Sequence, residues 1–598
     1  MGIYTTLPED IRQVDVIIAG GGTAGCVIAS RLAEAGPDLS ILVIEQGINN
    51  YNVPEVIYPA LFPRNLKDDS RTALFHQGNV SPQLANRAPV VPSGGCLGGG
   101  SSINWMVYTR AQRSDFDSWN MPGWSSNDLF PYLKKFETYH GKGEREHHGY
   151  DGPITISKGT FTAKRAENDF LSAAARLGYR ELKDLQNLDA NDGTERWLRY
   201  VGPDGRRQDA AHRFLHPKLQ SGGYPNLHVL TENKVIRVLI EGGRAVGVEY
   251  QPNPKFSTDD TKRKIRASKL VCVSAGANVT PLILERSGVG DPDVLRKAGV
   301  QLVQPPRGVG NEYQDHHLSL WAYRTDLNPR EAINGFNNGK VDNDELLGWN
   351  SMDASGKFRP TDADLRSLPP AFQRAWDRDF RNAPDRPLMI IALYNSFFGD
   401  YSTLPDDAEY ASMACWTAYP YSRGSIHITG PELSDRVDFD VGYLKDADDV
   451  DVQKHIWSYK LQREMTRRMS LYRGEEAGSH PPFPRNSKAA VVEFADGPVA
   501  DNAPKIQYTK EDDKIIEQKV RETVSTTWHS LGTCKMAPRE QGGVVDSTLS
   551  VYGIKGLKLA DLSVPPENVG ANTNNTALMI GEKAADIFIK ELGLKARL

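Results

Sequence analysis

The segment from Val14 to Glu45 constrains this chain more than any other. Val14, Val16, Ile17 and Ile18 form a short apolar run of the kind buried in a parallel sheet. Gly20, Gly22 and Gly25 follow in the spacing G-x-G-x-x-G. Ala24, Ile28 and Leu32 then recur every four residues, as one face of a helix does, until Gly36 ends the run. A second apolar run, Ser40-Ile41-Leu42-Val43-Ile44, closes on the carboxylate of Glu45, 20 residues beyond Gly25. Each part has a physical task. Gly20 permits a tight turn, Gly22 lets the backbone approach a pyrophosphate, and Gly25 allows the helix to lie close to the strand. The positive helix N-terminus, with Thr23 and Ala24 in its first turn, faces the phosphates. Glu45 is placed to accept hydrogen bonds from the ribose hydroxyls. The segment predicts a Rossmann-like dinucleotide-binding unit but does not separate FAD from NAD.

At 598 residues the chain is longer than one hydrophobic core fills, since cores stop growing near about 250–300 residues. Two large domains are therefore expected. The net charge of −5 supplies no basic surface for nucleic acid. No run approaches the roughly 18 apolar residues of a spanning helix, so neither nucleic acid nor a membrane is an expected partner. The five cysteines, Cys26, Cys96, Cys272, Cys415 and Cys534, are odd in number and scattered. That pattern points to reduced thiols, and no metal cluster is expected. The last residues, Ala596-Arg597-Leu598, resemble the S-K-L peroxisomal address. They imply a peroxisomal location with the import receptor as a partner; the alternative is a cytoplasmic protein whose last helix ends on a basic residue.

Residues 94–111, G-G-C-L-G-G-G-S-S-I-N-W-M-V-Y-T-R-A, hold five glycines and two serines in their first nine positions. Such a loop cannot pack a core and exposes N–H groups along one wall, which suits the second side of an extended dinucleotide. The run L-G-G-G-S-S-I-N resembles the first signature of the glucose–methanol–choline (GMC) oxidoreductases, which bind FAD. Gly276-Ala-Asn-Val-Thr-Pro281, then Ser287-Gly288-Val289-Gly290 and the segment Gly308 to His316, resemble the second. The resemblance implies an α/β fold, α+β overall. Residues 1–156, 226–319 and 526–598 would form a discontinuous Rossmann-like FAD-binding domain, and 157–225 with 320–525 an antiparallel-sheet substrate domain. It also implies that Gly99, Gly100, Ser102, Asn104 and Met106 lie along the pyrophosphate and flavin. Trp105, Ala275, Trp528, Asp561 and Thr573 would stand beside them, and Val235 would meet the adenine through its backbone. Three glycines, Gly98-Gly99-Gly100, precede the serines where the family usually has two. No histidine in this loop is placed to tether the flavin, so noncovalent FAD is expected.

Near the other end, S-T-T-W-H-S-L-G-T-C places His529 after Trp528, and Asn572 follows 43 residues later. By resemblance these two are the catalytic pair. Oxidising an alcohol requires the hydroxyl proton to leave while hydride passes from the α-carbon to flavin N5. A histidine, with an ordinary pKa of about 6.5, can take that proton, and an amide can hold the substrate oxygen. A helix beginning near Thr576 is expected to present its N-terminus to the flavin. The motifs around His529 and Asn572 look most like those of methanol or short-chain alcohol oxidases. That implies a small primary alcohol as substrate, dioxygen as electron acceptor and hydrogen peroxide as product. Formate oxidases are near relatives but are expected to carry arginine, a carboxylate clamp, where Asn572 stands. An alcohol dehydrogenase using a quinone and a flavin-containing hydroxynitrile lyase stay open as alternatives, as does homo-oligomer formation.

In the second domain, the runs from Leu388 to Leu393 and from Arg436 to Val441 read as strands. The polar stretch from Asn328 to Arg359 lacks periodicity, as an insertion or lid would. Trp105, Phe397, Phe398, Trp416 and Tyr419 are candidate walls of the substrate pocket, although Trp105 equally suits plain packing. Cys415 is expected to be buried and unreactive.

Overall fold

The computed structural model describes residues 2–333, 344–405 and 408–595. The Ala596-Arg597-Leu598 end and part of the stretch from Asn328 to Arg359 lie outside the described residues. Apolar strands with both faces covered build the first sheet. Strand Gln13–Ala19 lies between Ile41–Ile44 and Arg263–Val273, parallel to both, and Leu227–Leu230 continues the parallel order beyond Ile41–Ile44. Val16, Ile17, Ile18 and Ile41 through Ile44 are at most 1% exposed, and each such side chain contributes about 1.5–3 kcal/mol on burial. Strands Arg244–Pro252 and Asn233–Glu241 extend the sheet antiparallel. The C-terminal half of Arg263–Val273 pairs in parallel with Leu557–Leu559, which brings the end of the chain back to the first sheet. The glycine turn thus opens at the carboxyl end of the central strand, where connections leave to both sides, the usual place for a ligand in such a sheet.

A second, seven-stranded sheet is antiparallel throughout. Its order is Tyr472–Glu475, His317–Thr325, Glu409–Thr417, Met389–Tyr394, Ala354–Phe358 and Gly193–Arg196, with the short strand Ser525–Thr526 also paired to His317–Thr325. Two expected strands are present as Met389–Tyr394 and Val437–Asp440, but the latter belongs to a separate three-stranded sheet with Asn311–Tyr313 and Gly424–Ile428. Ala354–Phe358 corrects the lid expectation for the described part of its stretch. All five residues are buried, Lys357 included. A strand covered on both faces has no apolar–polar alternation to read, and its lysine is held by the carbonyl of Arg110 at 3.0 Å and the side chain of Gln112. All five cysteines are free and buried, and burial pushes the Cys415 thiol well up. Among the described residues no helix is long and apolar enough to cross a membrane, and no cluster is arranged to hold a metal ion.

The expected C-terminal helix spans Asn574–Glu591 and packs along the nucleotide-loop helix Thr23–Ala35. Gly581 makes the close crossing: a Cβ there would stand 2.9 Å from Val27 Cβ and 3.1 Å from Ala24 Cα. Arg31 locks the crossing with a forked pair of hydrogen bonds to Glu582, at 3.0 and 2.7 Å. Gly581→Val should lower stability by about 1–3 kcal/mol through overpacking, read as an earlier urea-unfolding midpoint with the bound cofactor released in the same transition.

Candidate active site

Three chain segments meet at the glycine turn with no room for side chains. Gly20 has φ +116°, and a Cβ there would stand 2.2 Å from Ser274 O. At Gly25 it would meet Gly20 O at 2.2 Å, and at Gly99, φ +53°, it would meet Gly22 Cα at 2.8 Å. Gly98 N donates to Gly21 O at 2.8 Å, while the Thr23 hydroxyl donates to Gly98 O at 3.1 Å and accepts from Ser101 N at 3.2 Å. Gly22 and Gly100 differ. Their hypothetical Cβ atoms have nothing nearer than 3.8 Å and nothing within 4 Å, respectively, and both residues line a cavity of about 440 Å³. Protein packing does not require glycine at these two positions; a ligand pressed against the backbone does. The cavity lining includes Glu45, Val235 and Ala275, Asp561 and Thr573, and His529 and Asn572. Thr573 has no side-chain cap bond, so the first N–H groups of helix Asn574–Glu591 meet the cavity uncapped. Asp561 braces the opposite wall, accepting from Gly276 N at 2.9 Å and the Thr280 hydroxyl at 2.6 Å.

Of the candidate residues, Gly20, Gly22, Thr23, Ala24, Glu45, Gly99, Gly100, Asn104, Trp105, Met106, Val235, Ala275, Trp416, Trp528, His529, Asp561, Asn572 and Thr573 line this cavity. Gly25 does not: it serves helix-to-strand contact. Ser102 does not either. The short helix Gly100–Ile103 turns its hydroxyl inward, where it donates to Leu97 O at 2.8 Å and accepts from Asn50 at 3.0 Å. Phe397 faces away, its ring against Tyr401 and Tyr410. Phe398 stands behind the wall, 5.5 Å from the Trp105 ring and 6.2 Å from that of Trp528. Tyr419 is a support: its hydroxyl donates to Asp115 at 2.7 Å, and the other Asp115 oxygen takes Gly570 N at 2.8 Å.

The His529 end is built by contacts the sequence does not announce. Strand Ser525–Thr526 attaches the segment to the second sheet, and Trp528, at φ +61°, then swings the chain so that His529 faces the cavity. Met106, on the facing wall, is also left-handed at φ +59°. Such strain in non-glycine residues needs over-determining surroundings. At Trp528 these come from Asp315, a buried carboxylate accepting from His529 N at 3.0 Å, the Thr526 hydroxyl at 2.5 Å and the Tyr443 hydroxyl at 2.6 Å. Burial pushes its pKa up to about 6 against those donors.

His529 Nε2 lies 3.3 Å from Asn572 Nδ2, and its Nδ1 lies 2.8 Å from His316 Nδ1. Thr109 orients the asparagine, its hydroxyl accepting from Asn572 N at 2.8 Å and donating to Oδ1 at 3.1 Å. The amide nitrogen is thereby left facing the imidazole as a donor. The network assigns the tautomer: Nε2 accepts from Asn572, so Nδ1 carries the proton and donates to His316. Burial, then the adjacent His316, holds His529 well below the ordinary histidine pKa, so it is a neutral base at neutral pH. Asp315 and His316 close the second family signature, but their support of His529, like that of Asn572 by Thr109, works through contacts distant in sequence.

A nucleotide cradle facing an imidazole–amide pair defines a dinucleotide-dependent oxidoreductase. The GMC oxidoreductase family models match residues 14–318 for the N-terminal part and 420–581 for the C-terminal part. The chain is 40% identical to an alcohol oxidase of Candida boidinii, covering 98% of this chain and 96% of that one. It is 38% identical to alcohol oxidase 1 of Komagataella phaffii, with the same coverage. An FAD-dependent oxidoreductase of Chaetomium thermophilum superposes with a TM-score of 0.80 at 25% identity, covering 98% of this chain and 100% of that one. The chain belongs to the GMC oxidoreductase family, and its cofactor is FAD.

A Glu45 that receives the ribose is expected to make cofactor affinity depend on pH. Its carboxylate accepts from Gly21 N at 2.9 Å and Gly47 N at 2.8 Å, but burial pushes its pKa up to about 7. Ribose hydroxyls donating to it favour the ionised form. FAD should therefore bind the apoprotein more tightly as pH rises from 6 towards 8, with release of a proton, and Glu45→Gln should flatten the dependence in a fluorescence titration.

Proposed function

We propose that this chain is an FAD-dependent alcohol oxidase, oxidising a small primary alcohol to the aldehyde and reducing dioxygen to hydrogen peroxide, with His529 and Asn572 as its catalytic residues. The observation that carries the reading is the His529–Asn572 pair, 3.3 Å apart on the cavity wall and enclosed by aromatic rings. The two relatives named alcohol oxidase, matched over nearly the whole chain, support it.

FAD, when bound, supplies the acceptor for the two electrons that leave the alcohol carbon with its hydrogen. The protein's residues handle the oxygen and its proton. A 3.3 Å N···N contact is weak, so an alcohol oxygen can enter between the partners, accept from Asn572 Nδ2 and donate its proton to His529 Nε2. The imidazolium that forms keeps its Nδ1–H on His316. Its buried setting disfavours the charge, which favours passing the proton on when dioxygen is reduced. Asn572 carries no charge, so the site offers no clamp for a carboxylate.

Size selection comes from Trp105. Its ring contacts those of Phe62 at 5.4 Å, Tyr394 at 5.5 Å and Trp528 at 5.3 Å, and its carbonyl is pinned by Asn350 at 2.6 Å. It cannot swing aside without breaking several contacts, so it forms a fixed wall beside Trp528.

Anaerobic methanol or ethanol should bleach the flavin, and air should restore the colour with stoichiometric peroxide. His529→Ala should retain FAD and slow bleaching by about 10²–10⁴-fold; an undiminished rate in this variant would rule His529 out as the base. Trp105→Ala should raise kcat/KM for butanol relative to methanol by about 10-fold or more, the scale of a few methylenes in an apolar pocket.

A further inference from the structure

The adenosine end of the cavity holds a polar arrangement that neither the glycine turn nor the His529 pair explains. Arg286, the last residue of helix Thr280–Arg286, lines the cavity and is 8% exposed. Among the described residues its Nε has no hydrogen-bond partner. Lys234, the second residue of strand Asn233–Glu241 and next to Val235, lines the same cavity and is half-buried. The two elements are bound to each other, since Val238 N donates to the hydroxyl of Ser287, the residue after Arg286, at 2.8 Å. Burial and the two neighbouring cations, Arg286 and Lys255, depress the Lys234 ammonium. The carboxylates near Arg286 are committed elsewhere. Glu285 takes His427 Nδ1 at 2.7 Å and Ile428 N at 2.8 Å, Glu432 pairs with Lys262 at 2.6 Å, and Asp435 accepts from Glu432 N at 2.8 Å.

A buried guanidinium nitrogen without an acceptor is costly, and native proteins leave few of them. The cavity that Arg286 lines is where a ligand can supply that acceptor. The order of the cavity says which part of FAD reaches this point. The phosphates belong at the uncovered glycines Gly22 and Gly100, and the ribose belongs at Glu45. The backbone of Glu45 is joined to the start of the Lys234 strand, Asn233 N donating to Glu45 O at 3.0 Å. Beyond the ribose lies the base. We propose that Arg286 and Lys234 hold the adenine ring of FAD, both as hydrogen-bond donors to its ring nitrogens. These side chains add to a backbone contact at Val235 and make the adenosine half an anchor in its own right.

The test uses apoprotein prepared from the purified holoenzyme, titrated calorimetrically with FAD, ADP and FMN. Arg286→Met and Lys234→Met should each weaken FAD and ADP by about tenfold or more, the loss of one charge-assisted hydrogen bond, and leave FMN unchanged. Arg286→Lys, which keeps the charge without the planar fork, should fall between wild type and Arg286→Met. Unchanged affinity for ADP in both methionine variants would overturn the proposal, as would an equal loss for FMN, which marks damage to the whole cradle. Wild-type apoprotein that takes up neither FAD nor ADP would overturn the cofactor assignment itself, whereas wild-type binding with indifferent variants would overturn only the adenine anchor.

Discussion

Close approach of three backbones organises this molecule. The segments at Gly20–Gly25, Leu97–Gly100 and Ser274–Gly276 come from separate parts of the chain and touch where a Cβ at Gly20 or Gly99 would overlap another segment's atoms. The parallel sheet delivers two of these segments, from the adjacent strands Gln13–Ala19 and Arg263–Val273. The loop of residues 94–102 is laid across them by backbone hydrogen bonds and Thr23. The cavity exists because these segments meet at their glycines and leave the Cβ directions of two others, Gly22 and Gly100, open along its wall.

The reactive end depends on a different constraint. His529 and Asn572 leave the chain 43 positions apart, and each is held by a residue from elsewhere: the imidazole by His316 and Asp315, the amide by Thr109. Asp315 stands just before strand His317–Thr325 of the second sheet, and Thr526 is paired to that same strand. His529 is therefore fixed against the second sheet. Trp416, Ala414 and Leu318 of the second sheet line the same cavity, so the antiparallel sheet supplies both the roof of the site and the support of its imidazole.

Much of this was legible in order along the chain. Strand, glycines, helix, strand and acid between Val14 and Glu45 occur as expected, because each link is a local preference or a steric demand of one residue. The L-G-G-G-S-S-I-N loop and the W-H-S segment pointed by resemblance to the cavity they line. Other readings failed for identifiable reasons. Ser102 turned inward because its hydroxyl is held by Leu97 O and the Asn50 amide. Phe397 turned away because its backbone N is captured by the Tyr401 hydroxyl at 2.7 Å. Ala354–Phe358 escaped notice because a strand buried on both faces, with its lysine satisfied internally, has no alternation to display.

The division follows from the range of the forces involved. Properties that one residue imposes on its own neighbourhood, such as a glycine's freedom at Gly20 or the apolar run that must be covered at Val16–Ile18, are written in the chain order, and they settle the nucleotide-binding unit and the family. Properties that need two distant groups at hydrogen-bond distance are not. The tautomer of His529, the direction of the Asn572 amide, the ring contacts of Trp105 and the unpartnered Arg286 Nε each arise only when separate segments of the chain are packed together, because a hydrogen bond or a ring contact is decided by ångströms that no spacing along the chain specifies.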